Sequence, residues 1–200
     1  MQRHPLKIES YEQGRSTVSI EIEVLNGAHS RPQAENLFRQ MEPHDAQRSE
    51  EGNENEPGWA RITWADPDLR VMVDDPDNGL VCHAGIFFRT VTWNGQKVHV
   101  GGVGQVATHP GHRRRGYASV ALEAAVQTMR HHDAAQFAVL FCEPHNFALY
   151  QSRGWHSFSG TVYAEQPGRK IRFEAMAPFV LDLKRRAPTL GTLDMCGLPW

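Results

Sequence analysis

The stretch from Val103 to Ser119 is the feature that most restricts how this chain can fold. It reads as a strand, a turn at Pro110, a loop of three arginines with Gly116, and then residues with helical apolar spacing. A loop that enters a helix leaves backbone N–H groups without acceptors, and the helix dipole adds positive potential there. Three arginines oppose that dipole unless an anion offsets them. The stretch therefore predicts an anion site suited to a pyrophosphate.

Apolar spacing along the rest of the chain predicts an α/β protein. Alternating or continuous apolar runs predict strands at residues 17–24, 69–74, 80–93, 98–108, 138–142, 155–163 and 179–183. Helical spacing predicts helices at residues 31–41, 118–129 and 146–152. The Asn94-Gly95 pair predicts a tight hairpin between two of the strands. Residues 42–58 are acidic and aperiodic, which predicts a flexible loop, and a tail rich in proline and glycine leads to Trp200.

Length, charge and cysteine content narrow the class of protein. The chain has 200 residues, 40% of them apolar, which suits one domain over residues 1–200 with a full core. Its 21 Lys and Arg against 23 Asp and Glu provide no global field for a phosphate backbone, so a nucleic-acid partner is disfavoured. No apolar run is long enough for a membrane span. Three scattered cysteines and no secretory signal favour a reducing cytoplasm.

The residues Arg113-x-x-Gly116-x-Ala118 resemble the pyrophosphate signature of the GNAT superfamily of N-acetyltransferases. The resemblance implies a mixed, mostly antiparallel sheet with splayed central strands and helices on both faces. It also implies acetyl-CoA as the cofactor, with the pantetheine arm along the edge of the strand before the loop. The implied cofactor residues are Val106, Ala107, Thr108, Arg113, Arg114, Arg115, Gly116, Tyr117, Ala118, Ser119 and Asn146. A solvated arginine cluster at a helix start is the alternative reading of the loop.

A second resemblance concerns the last 120 residues. The segment Leu149-Tyr150-Gln-Ser-Arg-Gly-Trp155 is similar to one in the aminoglycoside 2'-N-acetyltransferases, as are the hairpin around Asn94-Gly95 and the Met195-Cys196 pair before Trp200. This resemblance implies that Tyr150 protonates the departing CoA thiolate. It also implies that the carboxylate of Trp200 lies at the aminoglycoside. The first eighty residues match that family poorly.

One position departs from the family pattern, because Gly104 stands where the family has a glutamate that acts as the base. An ammonium must lose a proton before it can attack a thioester, so another acceptor is needed. Glu143, at the end of the apolar run 138–142, is the candidate, although it could instead cap the following helix. Gln105 and His109 are weaker alternatives. Acidic groups on the acceptor side would suit an aminoglycoside, and the candidates there are Glu143, Asp194 and the Trp200 carboxylate.

Other reactive side chains are assigned no role. Cys142 has no evident activating partner, and buried cysteine is commonly inert packing. The pairs His109 with His112 and His131 with His132 lack a third ligand, so no metal is predicted. The predicted partner is a small-molecule amine, and a homodimer is possible. Two rival functions stay open: an acetyltransferase for another small-molecule or protein amine, and a non-catalytic acyl-CoA-binding module.

Overall fold

The computed structural model describes residues 11–13, 16–46, 58–132 and 135–200. Contacts between residues divide the chain into two compact units, each assembled from three segments. The first unit comprises Met1–Glu54, Pro67–Ile86 and Gln105–Gln127. The second comprises Asn55–Asp66, Phe87–Gly104 and Thr128–Trp200. The single domain over residues 1–200 stays a prediction.

The strands of the first unit form antiparallel neighbours. A small hairpin joins β1 (Tyr11–Gln13) to β2 (Ser16–Val18). A larger set runs in the order β3 (Glu21–Asn26), β4 (Leu69–Asp75) and the first half of β5 (Gly79–Trp93). Apolar residues on these strands, such as Ile22 and Val71, are fully buried, which is why the apolar runs located the strands.

Two helices contribute to the first unit. Helix α1 spans Arg31–Ala46 and buries Ala34 and Leu37, as its apolar spacing predicts. It runs five residues past the predicted end, because apolar spacing detects the buried face of a helix and not its last turn. Helix α2 spans Tyr117–His131, close to the prediction. Of the acidic loop predicted at residues 42–58, the first five residues are helical, Gly58 begins a 3₁₀ helix, and residues 47–57 lie outside the described residues.

The second unit holds most of the mixed sheet. Besides the second half of β5, it contains most of β6 (Gln96–Thr108) and all of β7 (Phe137–Cys142), α3 (Phe147–Gln151), β8 (His156–Ser157), β9 (Thr161–Gln166), β10 (Arg169–Arg172), β11 (Ala177–Asp182) and β12 (Thr192–Asp194). The strand order is β10-β9-β12-β5-β6-β7-β11-β8. Two neighbouring pairs, β6 with β7 and β9 with β12, are parallel. The predicted α/β class with a mixed, mostly antiparallel sheet is confirmed.

The parallel pair β6 and β7 separates before either strand ends. Their register runs from Val100 opposite Phe137 to Val103 opposite Leu140. Beyond that point, the last two residues of β7 pair with β11. β6 continues to Thr108 outside the ladder with β7. The ladder between the two strands therefore ends at Val103 and Leu140.

The remaining differences from prediction lie where the apolar signal is weak. The strand predicted at 17–24 is divided between β2 and β3, and the strand predicted at 155–163 is divided between β8 and β9. Strand β10 was not predicted, because its sequence Arg-Lys-Ile-Arg is almost entirely polar. The predicted tail contains β12, whose middle residue Leu193 is buried. Its three residues are too few to show a period.

Candidate active site

The loop that leads into α2 is the predicted anion site, and it is called the cradle below. A short 3₁₀ helix over Pro110–His112 follows β6, with His109 Nδ1 accepting a hydrogen bond from the Gly111 N–H at 3.2 Å. Arg114 and Gly116 then adopt left-handed conformations, with φ of 64° and 86°. Such a backbone turns sharply into the helix, where the Ser119 N–H already donates to the Gly116 carbonyl at 2.9 Å. The N–H groups before Ser119 precede the first intrahelical bonds of α2. The side chains of Arg113, Arg114 and Arg115 are exposed around this turn.

Tyr117, the first residue of α2, fastens the helix to the turn between β4 and β5. Its hydroxyl donates a hydrogen bond to Asp75 Oδ2 at 2.8 Å. Burial, together with this bond to a carboxylate, raises the pKa of the Tyr117 phenol. The side-chain amide of Asn78 also donates to Asp75, and these bonds hold the pKa of Asp75 below its ordinary value despite its burial. The phenol of Tyr117 is therefore engaged in fixing the cradle.

The strand edge next to the cradle is β6 from Val106 to Thr108. Gln105, just before it, has a φ of 52°, which places a left-handed residue inside a strand. Thr108 Oγ1 lies 3.2 Å from Cys82 Sγ, and the Thr108 carbonyl accepts a hydrogen bond from Arg113 Nε at 3.3 Å. The strand end and the first arginine of the loop are thus held together. The candidates Val106 to Thr108 and Arg113 to Ser119 all belong to the first unit.

Trp200 occupies one face of β6 in the second unit. Its side chain is 2% exposed, and its indole N–H donates to the Val139 carbonyl at 3.2 Å. The indole ring stacks on Phe87, with centroids 5.3 Å apart and planes 14° apart. The Arg89 guanidinium lies 5.1 Å from the ring centroid of Trp200. Trp200 is therefore a fixed part of the core and not a frayed tail.

This packing explains the glycines of β6. A Cβ placed on Gly102 would lie 2.2 Å from Trp200 Cε2, and one placed on Gly104 would lie 2.8 Å from the Trp200 carboxyl carbon. Neither distance is possible for real atoms, so no larger residue fits at either position without displacing Trp200. The space that a side chain at position 104 would need is occupied by Trp200. The run Gly101-Gly102-Val-Gly104 was the sequence signal for this close approach.

Glu143 directly follows β7. It precedes a 3₁₀ helix over Pro144–Asn146, and its side chain makes no capping hydrogen bond. The helix-capping alternative therefore finds no support in the structure. Glu143 is extended, with φ −78° and ψ 155°, so the alternation of an extended chain puts its side chain on the same face as that of Phe141. Phe141 packs near Trp200, with ring centroids 6.4 Å apart.

The thiol of Cys142 is not poised as a nucleophile. Burial, aided by the neighbouring Glu143 carboxylate, raises the pKa of Cys142 to about 12. A thiol with such a pKa holds its proton at neutral pH, and the thiolate is the reactive form. This agrees with the assignment of Cys142 to packing.

Tyr150 lies on α3 and is buried, with a 6% exposed fraction. Its ring meets Trp155 edge to face at 6.3 Å, and its carbonyl accepts hydrogen bonds from the N–H groups of Arg153 and Trp155. The segment 149–155, which carries the second resemblance, is thus a compact helix end closed by Gly154, whose φ is 81°. Asn146 precedes α3 and makes no side-chain capping bond.

Asp194 in β12 already has a partner. Its carboxylate forms an ion pair with Lys170 at 2.5 Å and accepts the N–H of Cys196 at 2.9 Å. Although burial acts in the opposite direction, these contacts hold the pKa of Asp194 below its ordinary value. A substrate ammonium at Asp194 would have to replace Lys170. The candidates Glu143, Asn146, Tyr150, Asp194 and Trp200 all belong to the second unit.

Histidines from the two sequence pairs make hydrogen bonds or ring contacts with nearby groups. His109 Nδ1 is engaged with the Gly111 N–H, and its ring meets His112 at 5.2 Å. His132 stacks on Phe88 at 3.8 Å. Within the described ranges, no group of three or more metal-binding side chains occurs. The same ranges contain no helix that is long and apolar enough to cross a membrane.

Comparison with solved structures finds the same fold in bacterial proteins. A GNAT family N-acetyltransferase from Escherichia coli, YhbS, in complex with CoA, matches with a TM-score of 0.54 and 15% identity over 92% of this chain and 93% of that one. ElaA from Escherichia coli matches with a TM-score of 0.54 and 18% identity over 82% of this chain and 99% of that one. No curated protein sequence matches the chain.

A family model described as an acetyltransferase (GNAT) domain matches residues 37–158. That range covers more than half of the chain and includes the cradle, strands β6 and β7, and Tyr150. The solved structures share the fold around these elements. The chain belongs to the GNAT family of acetyl-CoA-dependent N-acetyltransferases.

Proposed function

We propose that this chain transfers the acetyl group of acetyl-CoA to an amine of an aminoglycoside. The observation that carries the proposal is the left-handed turn at Gly116 between three exposed arginines and the first turn of α2. The acceptor class is supported by the segment 149–155, by Tyr150 within it, and by Trp200 built into the core beside β6. Another small-molecule or protein amine is the alternative acceptor.

The residues of the first unit fit acetyl-CoA. The Arg113 to Arg115 side chains supply cations for a pyrophosphate, and Gly116 has no side chain to obstruct its approach. Backbone N–H groups at the start of α2, from Gly116 to Ala118, would contact the same phosphates, and Ser119 is a further proposed contact. The edge of β6 from Val106 to Thr108 lies outside the ladder with β7, so it can pair with the amides of a pantetheine arm. Asn146, in the second unit, is a further proposed contact.

Acetyl-CoA supplies an activated thioester, and the protein positions it and moves two protons. The amine nitrogen forms a bond to the acetyl carbon as the carbon–sulfur bond breaks. The electron pair of the carbon–sulfur bond leaves with the CoA sulfur. Glu143 accepts the proton that the substrate ammonium loses, directly or through one water. The Tyr150 hydroxyl donates a proton to the departing thiolate, and the second proton that the acylated nitrogen loses restores the phenol. Holding both reactants together supplies much of the rate.

The acceptor side contains carboxylates that suit a polycationic amino sugar. Glu143 extends from the end of β7, and Asp194 could exchange its Lys170 partner for a substrate ammonium. The carboxyl group of Trp200 lies beside Gly104, the position of the family glutamate, and is the third proposed contact. A charge-assisted pair of this kind contributes about 1.5–3 kcal/mol when it is desolvated.

A turnover assay tests the function. Purified protein is incubated with acetyl-CoA and one amine in each reaction. The panel of amines comprises aminoglycosides, polyamines, amino acids and peptides with free amino termini. Release of the CoA thiol is followed optically, and the product is identified by mass spectrometry. We expect acetylated aminoglycosides as the main products, with the modified amine assigned by fragmentation.

Three outcomes separate the candidate functions. Turnover of aminoglycosides supports the proposal, whereas turnover of another amine alone selects the alternative acceptor. Tight binding of acetyl-CoA without turnover across the panel would favour a non-catalytic acyl-CoA module. The variant Tyr150→Phe helps to separate the classes, because a binding module has no need of its hydroxyl.

A further inference from the structure

Two buried polar side chains of the first unit contact the left-handed residue of β6. Arg70 on β4 is 3% exposed, and His83 on β5 is fully buried. Arg70 Nη1 lies 3.0 Å from His83 Nε2 and 3.1 Å from the side-chain oxygen of Gln105. His83 Nδ1 lies 2.8 Å from the main-chain oxygen of Gln105. Both the backbone and the side chain of Gln105 are therefore held from inside the unit.

The chemistry of the partners fixes the proton on His83. A guanidinium can only donate, so His83 Nε2 accepts from Arg70 and the ring proton lies on Nδ1. That proton is donated to the Gln105 carbonyl. Burial lowers the pKa of His83 to about 4, which keeps the ring in this neutral form. The Gly27 carbonyl accepts from Arg70 Nε at 3.0 Å and fixes the other end of the guanidinium.

Gln105 needs such support because of its backbone conformation. Its φ of 52° is uncommon for a residue with a side chain, particularly inside a strand. Strained backbone of this type persists only where its surroundings determine it. The residue also stands immediately before Val106, where the proposed pantetheine edge begins. Its conformation therefore sets the direction in which the N–H and C=O groups of that edge point.

We propose that Arg70 and His83 are positioning residues for the cofactor: they hold Gln105 in its left-handed conformation, so that the edge from Val106 to Thr108 is preorganised for acetyl-CoA. This inference rests on the proposed function of that edge. Neither side chain needs to touch the cofactor. Without the two contacts, Gln105 would populate extended conformations, and the measured Kd would rise by the inverse of the remaining competent fraction.

Variants at His83 test the inference. His83→Leu keeps an apolar residue of moderate size and removes the donor, and we expect the Kd for acetyl-CoA, measured by calorimetry, to rise about fivefold or more. His83→Asn retains an amide donor near the position of Nδ1 and should stay within about twofold of wild type. Val73→Ala, a buried change on β4 at a residue that makes none of these hydrogen bonds, is the matched control for lost stability and should leave the Kd unchanged.

A second substitution separates positioning from packing. Glycine adopts a positive φ without cost, so adding Gln105→Gly to His83→Leu should restore the Kd to within about twofold of wild type. Backbone chemical shifts of residue 105, measured without acetyl-CoA, should report the left-handed conformation in wild type and its loss in His83→Leu. If His83→Leu does not fold, Gln105→Ala with a raised Kd and Gln105→Gly with an unchanged Kd serve as the test.

The failures of the two proposals can be told apart. If wild type binds no acetyl-CoA, the proposed function fails, whatever the chemical shifts of residue 105 show. If wild type binds acetyl-CoA but His83→Leu keeps both the wild-type Kd and the left-handed shifts, the positioning role is wrong. A Kd in Val73→Ala that rises as much as in His83→Leu would also overturn it, because the effect would then follow stability alone.

Discussion

Gly104 and Trp200 fit against each other so closely that a Cβ on the glycine would lie 2.8 Å from the carboxyl carbon of the tryptophan. The position at which the resemblance implies a glutamate therefore has no room for a side chain, because Trp200 fills the adjacent volume. The proposed catalytic base is therefore Glu143, which directly follows the last buried residue of β7.

Gly102→Ala should strongly destabilise the protein. Its new methyl group would lie 2.2 Å from Trp200 Cε2, and the indole is held between Phe87 and the Val139 carbonyl. We expect the free energy of unfolding in urea to fall by about 2–4 kcal/mol, in the range of severe overpacking. Gly58→Ala, where a Cβ would meet nothing within 4 Å, is the control and should change it little.

Trp200→Phe should partly relieve that clash. The double variant Gly102→Ala/Trp200→Phe is expected to be more stable than the sum of the two single changes predicts, because the smaller ring leaves room for the methyl group. Strict additivity would show that the two residues do not compete for the same space.

Tyr150→Phe should lower kcat by roughly one to three orders of magnitude, the range lost with a general acid, while the Kd for acetyl-CoA stays near the wild-type value. The reason is that the phenol acts on the thiolate only as the carbon–sulfur bond breaks. Steady-state kinetics with a saturating amine make the measurement. Tyr163→Phe removes a more exposed hydroxyl and serves as the control. An unchanged kcat in Tyr150→Phe would assign the proton to another donor.

Glu143→Gln tests the base. Loss of the proton acceptor should reduce kcat/KM by about a hundredfold at neutral pH, with part of the activity recovered as pH rises and more of the amine is already neutral. Glu174→Gln, an exposed change at a residue that pairs with Arg172, is the control. If Glu143→Gln retains the wild-type pH–rate profile, Glu143 is not the base.

Buried His83 should make folding stability depend on pH. Its pKa falls from 6.5 in an unfolded chain to about 4 in the fold, so below pH 6.5 the unfolded state binds the proton first. The contribution is complete above about pH 6.5 and is lost as pH falls toward 4, up to about 3 kcal/mol. Urea unfolding between these limits should show a flatter pH dependence for His83→Asn than for wild type. Equal slopes would mean that His83 titrates alike in both states.

The sequence predicted the elements with strong apolar patterns and missed what depends on packing. The hairpin at Asn94-Gly95 and the buried strand β7 were found, because turn chemistry and continuous burial are local signals. Strand β10 was missed because its polar residues give no period. The burial of Trp200 could not be inferred, because it depends on glycines almost one hundred residues away along the chain.

For the candidate site too, the sequence predicted the features with a local signal and missed those that depend on contacts between distant strands. A motif of six residues predicted a turn before a helix at Gly116, and the structure has a left-handed glycine there, because such turns leave a local signature. The binding of a pyrophosphate at this turn stays a prediction. The support of Gln105 by Arg70 and His83 was not predicted, because their contacts join three strands distant in sequence. A histidine within the apolar run of β5 was the one available signal. The ion pair of Asp194 with Lys170 was not predicted either, because the two residues lie on different strands.

Binding of acetyl-CoA to wild type, Gly116→Asp and Gly168→Asp, measured by calorimetry, tests whether the loop before α2 holds the cofactor. Gly116 and Gly168 have similar left-handed conformations, with φ of 86° and 77°, so the same substitution costs both a similar backbone strain. Only at position 116 would the new carboxylate stand in the phosphate cradle. We expect tight binding to wild type and to Gly168→Asp, and no measurable binding to a folded Gly116→Asp. Unchanged affinity in a folded Gly116→Asp would contradict this expectation.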